Sequence, residues 1–508
     1  MAALGALPDV LDGRKTDPSQ VDLSVLSPAW QRLIEAAGEI DRRAYTVAVM
    51  DAVHKALRRR DIFVVGGRRW GDPRARLLTD PAWQATKNET LTSLQLPEEP
   101  AAHLAGVRHS LDARYRAAAD QLAHSTEVRI DDAGNVHLSP LEAKTIPESL
   151  TQLRGLVSAM LPQVDLPDVL LEVHSWTGFL SEFSHVSEAS ARMDQLDVSV
   201  AAILVAEACN VGLTPVVKDG HPALTRGRLA HVDQHYVRAD TLRAANSRLV
   251  QAQSALGLAQ RWGTGLLASV DGMRFVVPVA TVNAGANPRY FGHGRGLTWL
   301  NYLNDQVAGL GAVVVPGTVR DSLHILDGLL DLDVGQRPEM VATDTASYSD
   351  QIFGLFTLLG YRFSPRLAGL PDQRFWRIGT TADYGQLNAV AGRNRINLDL
   401  ITAHWPDMLH LAGSLTAGTV RASGILRVTQ GGGTPTLLGK ALAEYGRIAK
   451  TEHLLDFIDV DEGYRRQIHT QLTLQESRHA PGQTRLPRQE RPDPAVLPGR
   501  PRRSARSP

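Results

Sequence analysis

Cysteine is almost missing: Cys209 stands alone among 508 residues, so no disulfide can form within the chain, and this usage fits a reducing cytosol. Lysine is scarce too, with seven lysines against 47 arginines, a bias that suggests GC-rich coding. Aromatic residues make up 6% of the chain, against 43% hydrophobic and 21% charged. That balance is normal for globular proteins and excludes a collagen-like, coiled-coil or wholly disordered chain. Long apolar runs are lacking: the longest, around Val198 to Cys209, is interrupted by Glu207 and is too short to cross a bilayer. The first residues have neither a basic n-region nor an apolar h-region, so no secretory signal is read there. The expectation is a cytoplasmic protein without a membrane partner.

What the chain does have is length, too much for one ordinary core, and two to four domains are expected. The formal net charge of zero conceals an asymmetry. The last 28 residues hold seven Arg with one Glu and one Asp, which leaves 47 basic and 52 acidic side chains in residues 1–480. A body of that sign does not announce a nucleic-acid partner, so a polyanion-binding surface has to come from local clustering. One cluster qualifies. Lys55, Arg58, Arg59, Arg60, Arg68, Arg69, Arg74 and Arg76 face only Asp61 and Asp72 in that stretch, with Trp70 among them; it reads either as a DNA contact or as a solvated charged face.

Residues 1–165 read as mainly helical, with patterns at Trp30–Ala37 and Arg42–Arg59 and a short strand candidate at Ile62–Val65. Residues 166–264 read as a helical approach, opening with LPDVLLEVHSWTGF and including an apolar helix from about Asp197 to Val211. From 265 the pattern changes. LLASVD is a short apolar run, Asp271-Gly272 is turn-like and RFVVPV reads as a returning strand, which together predict a hairpin. After a Gly-rich loop, Asn283 to Gly296, the segments LTWLNYL, GAVVVPG, Thr318–Leu330, MVATD, Ser349–Leu359 and YRFSPRL alternate strand and helix. An α/β layer follows. A helical insertion is expected at about 368–460, then a last helix from roughly Asp461 to Ala480.

Several motifs fail. FGHGRGL does not complete G-x-G-x-x-G, because position 297 is Leu; GGGTPTLLGKA has Ala441 where a phosphate loop needs Ser or Thr; and HVDQH, with His231 and His235, lacks the Glu of a zinc-protease helix. A loop, a helix start and surface histidines are the plainer readings. Cys209 in an apolar helix reads as a small core residue. What survives is a set of carboxylates. Asp271 ends LLASVD and Asp344 ends MVATD, so parallel neighbouring strands would bring both to one sheet edge, where they suit a divalent cation better than each other. Each alone is more often a turn former. Glu476, late in the last helix, is a third candidate beside the commoner reading of a solvent-facing Glu.

The segments LLASVDGMRFVVPV, NPRYFGHGRGLTW, VVVPGTVRDSLHILDGLL, MVATDTASYSD, FGLFTLLGYRFSPRL, RINLDLI, GSLTAGTVRAS and QESRHA resemble the transposases of the Tn3 family. LPDVLLEVHSW, VAEACNVGL and LTRGRLAHVDQHY continue the likeness upstream, and it covers about residues 30–480. The resemblance implies an α/β catalytic domain of ribonuclease-H-like type over 265–480, carrying the helical insertion and preceded by the mainly helical region. It also implies an Asp, Asp, Glu triad at Asp271, Asp344 and Glu476, with Arg478 and His479 as phosphate neighbours. Two Mg²⁺ ions, with Mn²⁺ as an alternative, would serve nicking at transposon ends and transfer of the 3′-hydroxyls to target DNA in replicative transposition. The implied partners are transposon-end and target DNA and a second copy of the chain, and the implied location is bacterial and nucleoid-associated.

The chain departs from the family at both ends. It starts in what corresponds to the middle of family members, so recognition of terminal repeats is not expected from it. The likeness stops at Ala480, and PGQTRLPRQERPDPAVLPGRPRRSARSP follows, with seven Pro. This reads as a frameshifted or truncated end, with a functional basic tail as the other reading. A disordered tail over 481–508 and a fraying last turn around Glu476 are expected. Little strand transfer would follow, or a catalytically silent DNA-binding remnant.

Overall fold

The computed structural model describes residues 2–485 except 36–37, 60, 68–69, 126, 132, 188–192, 318–320, 333–336, 346–347, 392–393 and 431–434. Its strands are β1 (Val128–Ile130), β2 (Val136–Leu138), β3 (Leu267–Val276), β4 (Gly285–Ala286), β5 (Arg295–Asn304), β6 (Gly309–Pro316), β7 (Met340–Thr343) and β8 (Arg362–Pro365). β1 and β2 form a small antiparallel pair of their own. In the main sheet β3 is central, antiparallel to β5 on one side and parallel to β7 on the other. β5 also pairs antiparallel with β4 and β6, and β7 pairs parallel with β8. A parallel pairing needs a crossover. Helix Ile325–Leu330 precedes β7, and helix Asp350–Leu358 joins β7 to β8. The result is a mixed α/β structure with a mixed sheet, preceded by a mainly helical region.

Alternation along the strands assigns the two faces. Ala268, Val270, Val341 and Phe363 point into the main core with Ile352, Phe353 and Phe356 of helix Asp350–Leu358. Leu267, Met340 and Ala342 point the other way, onto Ile468 and Leu472 of the terminal helix Gly463–Arg485. The sheet is therefore sandwiched, and its middle strands are apolar on both sides, as buried parallel strands are.

Three sequence expectations are corrected. Asp271-Gly272 is not a turn: β3 runs straight through it, because Gly272–Val276 have partners on β5 as far as Gly296. Ile62–Val65 is irregular, with Phe63, Val64 and Val65 exposed, so this apolar run gains neither a partner strand nor burial. The terminal helix does not stop at Ala480 but continues through Pro481 to Arg485. A proline in a helix removes one N–H donor, and here the preceding turns are held against the sheet. Residues 486–508 of the expected tail lie outside the described residues.

Buried residues from Leu77 to Val136 share one core with those from Ala268 to Ile458, so this packing unit crosses position 165. Separate clusters form within residues 3–49 and 179–245. Among the described residues, no helix is long and apolar enough to cross a membrane.

In the main core, helices Asp350–Leu358 and Leu437–Phe457 meet backbone to backbone, and glycine is required by the approach. A Cβ at Gly446 would fall on the Asp350 carbonyl oxygen, and one at Gly354 on the Leu442 carbonyl oxygen. Gly446→Ala is therefore expected to destabilise the protein by about 1–3 kcal/mol or more through overpacking. Gly424→Ala, in helix Ala422–Thr429 with nothing within 4 Å of the new methyl, should be neutral or stabilise by up to ~1 kcal/mol. Urea midpoints of the two variants measured side by side check the contrast.

Candidate active site

The register of β3 against β7 pairs Leu267 with Met340 and Val270 with Thr343. The next residue along each chain is an aspartate, Asp271 and Asp344, so the two carboxylates leave at the same level from neighbouring backbones roughly 4.8 Å apart. Both lie on the face covered by the terminal helix, since Ser269 and Ala342, two residues earlier on each strand, face it. Asp271 Oδ1 accepts the Gly272 N–H at 2.7 Å, and Asp344 Oδ1 accepts the Thr345 N–H at 2.6 Å. Asp271 is half-buried and Asp344 is exposed.

The terminal helix climbs in the same direction as β3. Ile468 and Leu472 form its apolar stripe above β3 and β7. Glu476 is the next residue on that stripe, one turn beyond Leu472, where β7 has passed from Ala342 to Asp344. Glu476 is exposed. Among the described residues no three His, Cys, Asp or Glu side chains converge closely enough to hold a metal ion. The two aspartates share one edge, and the glutamate stands above it.

A second stripe, Gln471, Gln475 and His479, faces the seam between β3 and β5 and is buried. It forms a continuous relay. The Gln471 amide donates to Ser269 Oγ at 3.0 Å and to the Leu303 carbonyl at 2.9 Å. Ser269 Oγ donates to Gln475 Oε1 at 2.6 Å, and Gln475 Nε2 donates to Asn301 Oδ1 at 2.7 Å. Asn301 Nδ2 in turn lies 2.6 Å from His479 Nε2. With Nε2 accepting, the imidazole carries its proton on Nδ1, and Nδ1 lies 3.5 Å from Asp271 Oδ2. Burial pushes the Asp271 carboxyl up from its ordinary value; the Gly272 N–H and His479 oppose the rise, and Asp344 adds to it. Burial likewise holds His479 below its ordinary value, against the pull of Asp271.

Sequence reading placed His479 beside phosphate; here its ring is enclosed between Asn301 and Asp271. Arg478 lies along the start of β6, its Nη1 3.5 Å from the Val307 carbonyl oxygen, and burial lowers its guanidinium from the ordinary value. Gln471, Gln475, Ser269 and Asn301 were missed. The signal was present as Ser269 within an apolar strand and as polar residues recurring at i, i+4 and i+8 on one helix face.

In the basic cluster, Lys55 is paired with Asp51 at 2.7 Å, Arg59 with Asp61 at 2.9 Å and Arg74 with Asp72 at 3.4 Å. Arg58, Arg74 and Arg76 are exposed, while Arg60, Arg68 and Arg69 lie outside the described residues. His231 and His235 stack with ring centroids 4.5 Å apart, and His185 lies 5.4 Å from His235.

The relay seats the terminal helix on the sheet by buried hydrogen bonds, and removing its middle member takes the 2.6 Å acceptor from the Ser269 hydroxyl and the donor from Asn301 Oδ1. Gln475→Ala is expected to lower stability by about 1–3 kcal/mol, the desolvation cost of unsatisfied buried groups. Thr473→Ala, at an exposed position of the same helix, should stay within ~0.5 kcal/mol of the parent; denaturant titrations of both compare the two positions.

Comparison with known proteins shows the family. Residues 168–484 match the family described as the Tn3 transposase DDE domain. The chain is 50% identical over 485 residues to the transposase for transposon Tn4556 of Streptomyces fradiae, covering 94% of this chain and 54% of that protein. It is 44% identical over 484 residues to the transposase for transposon gamma-delta of Escherichia coli K12, covering 94% of this chain and 48% of that protein. The transposase for transposon Tn1546 of Enterococcus faecium is 33% identical over 467 residues, covering 92% and 46%. The chain spans about half the length of these curated relatives. With the family match over most of its length and a pair of aspartates at one sheet edge under a glutamate-bearing helix, the chain belongs to the Tn3 transposase family.

Proposed function

We propose that this chain cleaves and joins DNA phosphodiester bonds at transposon ends, using Asp271, Asp344 and Glu476 as its reactive carboxylates. The observation that carries the reading is the β3–β7 register, which delivers two aspartates to one level of one face beneath the helix that bears Glu476. A central strand with antiparallel partners on one side, parallel ones on the other and helices on both faces supports the ribonuclease-H-like type.

The donor set fits Mg²⁺, a hard cation that takes carboxylate oxygens, keeps several waters and shares the rest of its shell with substrate phosphate. Asp271 and Asp344 would hold it, with Glu476 completing the set; Mn²⁺ would take the same oxygens. When bound, a pair of such ions polarises the scissile phosphate and stabilises the attacking and leaving oxygens. The protein's own part is positional. The Gly272 N–H and His479 restrain Asp271, and the relay from Gln471 to His479 fixes the height of the helix over the strands. The 3′-hydroxyl of a nicked end has to approach from the open side, where Asp344 and Glu476 are exposed, because the other side is filled by the relay. The DNA partners are the element's ends and the target, and the acting form is a pair of chains.

Asp271→Asn and Asp344→Asn are each expected to lower Mg²⁺-dependent joining of pre-nicked ends to a target plasmid by at least ~100-fold, with DNA binding in EDTA retained. Joining at the parent rate in either variant would exclude that carboxylate.

The cluster from Lys55 to Arg76 supplies sequence-independent affinity in this reading, reduced by local ion pairs such as those of Lys55, Arg59 and Arg74. Changing Arg58, Arg74 and Arg76 to Ala is expected to flatten the slope of log K against log salt by about 0.9 for every phosphate that is no longer neutralised. An unchanged slope in a salt titration of binding assigns these residues to a solvated face.

A further inference from the structure

β7 leaves the sheet at Thr343, opposite Val270, but β3 and β5 continue as a ribbon to Val276 and Gly296. From Gly272 to Asn304, out along the ribbon and back, the sequence contains no Asp or Glu, while it contains Arg274, Arg289, His293 and Arg295. In a body with more acidic than basic side chains, such a stretch adjoining Asp271 is a local positive field.

The turn at the ribbon's end is rigidly built. Phe291 is buried, and a Cβ at Gly296 or Gly317 would strike its ring. Asn287 caps the short helix Pro288–Phe291 by accepting the Arg289 N–H at 3.2 Å, and its amide donates to the Gly317 carbonyl at 2.7 Å. Anchored this way, the turn presents Tyr290 outward, 43% exposed. The Arg274 guanidinium lies 4.1 Å from the Tyr290 ring centroid and that of Arg289 lies 5.5 Å from it. The exposed ring has both guanidinia beside it and meets the buried Phe291 ring edge-on, with centroids 6.3 Å apart. It has the composition of a surface that stacks a base and neutralises the adjoining phosphate.

We infer that Tyr290, with Arg274 and Arg289, is a stacking platform for a nucleobase of the DNA strand that passes the Asp271–Asp344 edge. The inference deepens the DNA-joining reading and rests on it for the identity of the strand. Arg274 is three strand residues from Asp271, about 10 Å along β3, and by alternation leaves the opposite face of the ribbon, so a strand that reaches both rounds the ribbon's edge over at least roughly three nucleotides at 3.4 Å each. A paired base offers no free face to a side chain, so the platform takes a base that is unpaired there, as at a nick or a strand end.

The test uses the full chain in EDTA and a short single-stranded oligonucleotide carrying 2-aminopurine, with affinity read by anisotropy of an end label and stacking by 2-aminopurine quenching. The parent and Tyr290→Phe are expected to bind and quench. Tyr290→Ala and Tyr290→Ile are expected to bind roughly 5- to 150-fold more weakly, the loss of one base stack, and to leave the bound fluorescence unquenched while their thermal midpoints match the parent. Quenching and affinity equal to the parent in both variants overturn the platform, as does absence of quenching by the parent. Neither result touches the carboxylate assignment, which Asp271→Asn tests by joining. Conversely, an Asp271→Asn chain that joins normally while Tyr290→Ala loses quenching removes that assignment and keeps the platform.

Discussion

The four-residue parallel pairing of Leu267–Val270 with Met340–Thr343 is the constraint on which the site depends. Side chains alternate across a sheet, so a slip of one residue on either strand would send its aspartate to the opposite face, into the main core. The apolar pattern forbids that slip. Ala268, Val270 and Val341 are matched to the core, while Leu267, Met340 and Ala342 are matched to Ile468 and Leu472, and exchanging the sets would expose one and bury charge with the other. Hydrophobic burial on two faces thus fixes the position of two carboxylates that belong to neither apolar cluster.

The terminal helix is registered differently. Its apolar stripe is short, and its depth and rotation are set by the buried relay Gln471, Ser269, Gln475, Asn301 and His479. Buried polar chains tolerate little displacement, because each member left without a partner costs its desolvation. At the other end of this helix, Tyr464 Oη lies 2.7 Å from Ser364 Oγ and 2.8 Å from His453 Nδ1, while His453 Nε2 lies 3.0 Å from the Pro365 carbonyl oxygen and donates to it. Burial pushes this histidine down to about 3, so it is neutral across the physiological range. Directional bonds at both ends hold the height of Glu476 over the strands, which dispersion alone leaves free to slide.

Charge is used in two ways. Around Lys55 to Arg76 several cations are paired with nearby aspartates, and exposed pairs of this kind contribute little stability. Along the β3–β5 ribbon no acidic residue interrupts the arginines for 33 positions, so opposite charge has to come from outside the segment, as Asp271 supplies it to Arg274. The distinction concerns patterning, since overall charge is zero.

Residue order alone was enough for the strand and helix alternation after 265, the two aspartates at the ends of apolar runs and the likeness that singled out Glu476, because alternation and apolar periodicity are local properties of a chain. It misplaced the turn at Asp271-Gly272, since a turn-like dipeptide becomes strand once a partner such as β5 supplies its hydrogen bonds, and it ended the last helix at Ala480, before Pro481, since the sheet's hold on that helix is not a local property. The Ser269–Asn301 relay was legible only as oddly placed polar residues. Which aspartate neighbours which, which face the helix covers, and that Arg274 meets Tyr290 were settled by the three-dimensional fold, because each joins residues through backbone pairing or side-chain packing between segments that no sequence spacing encodes.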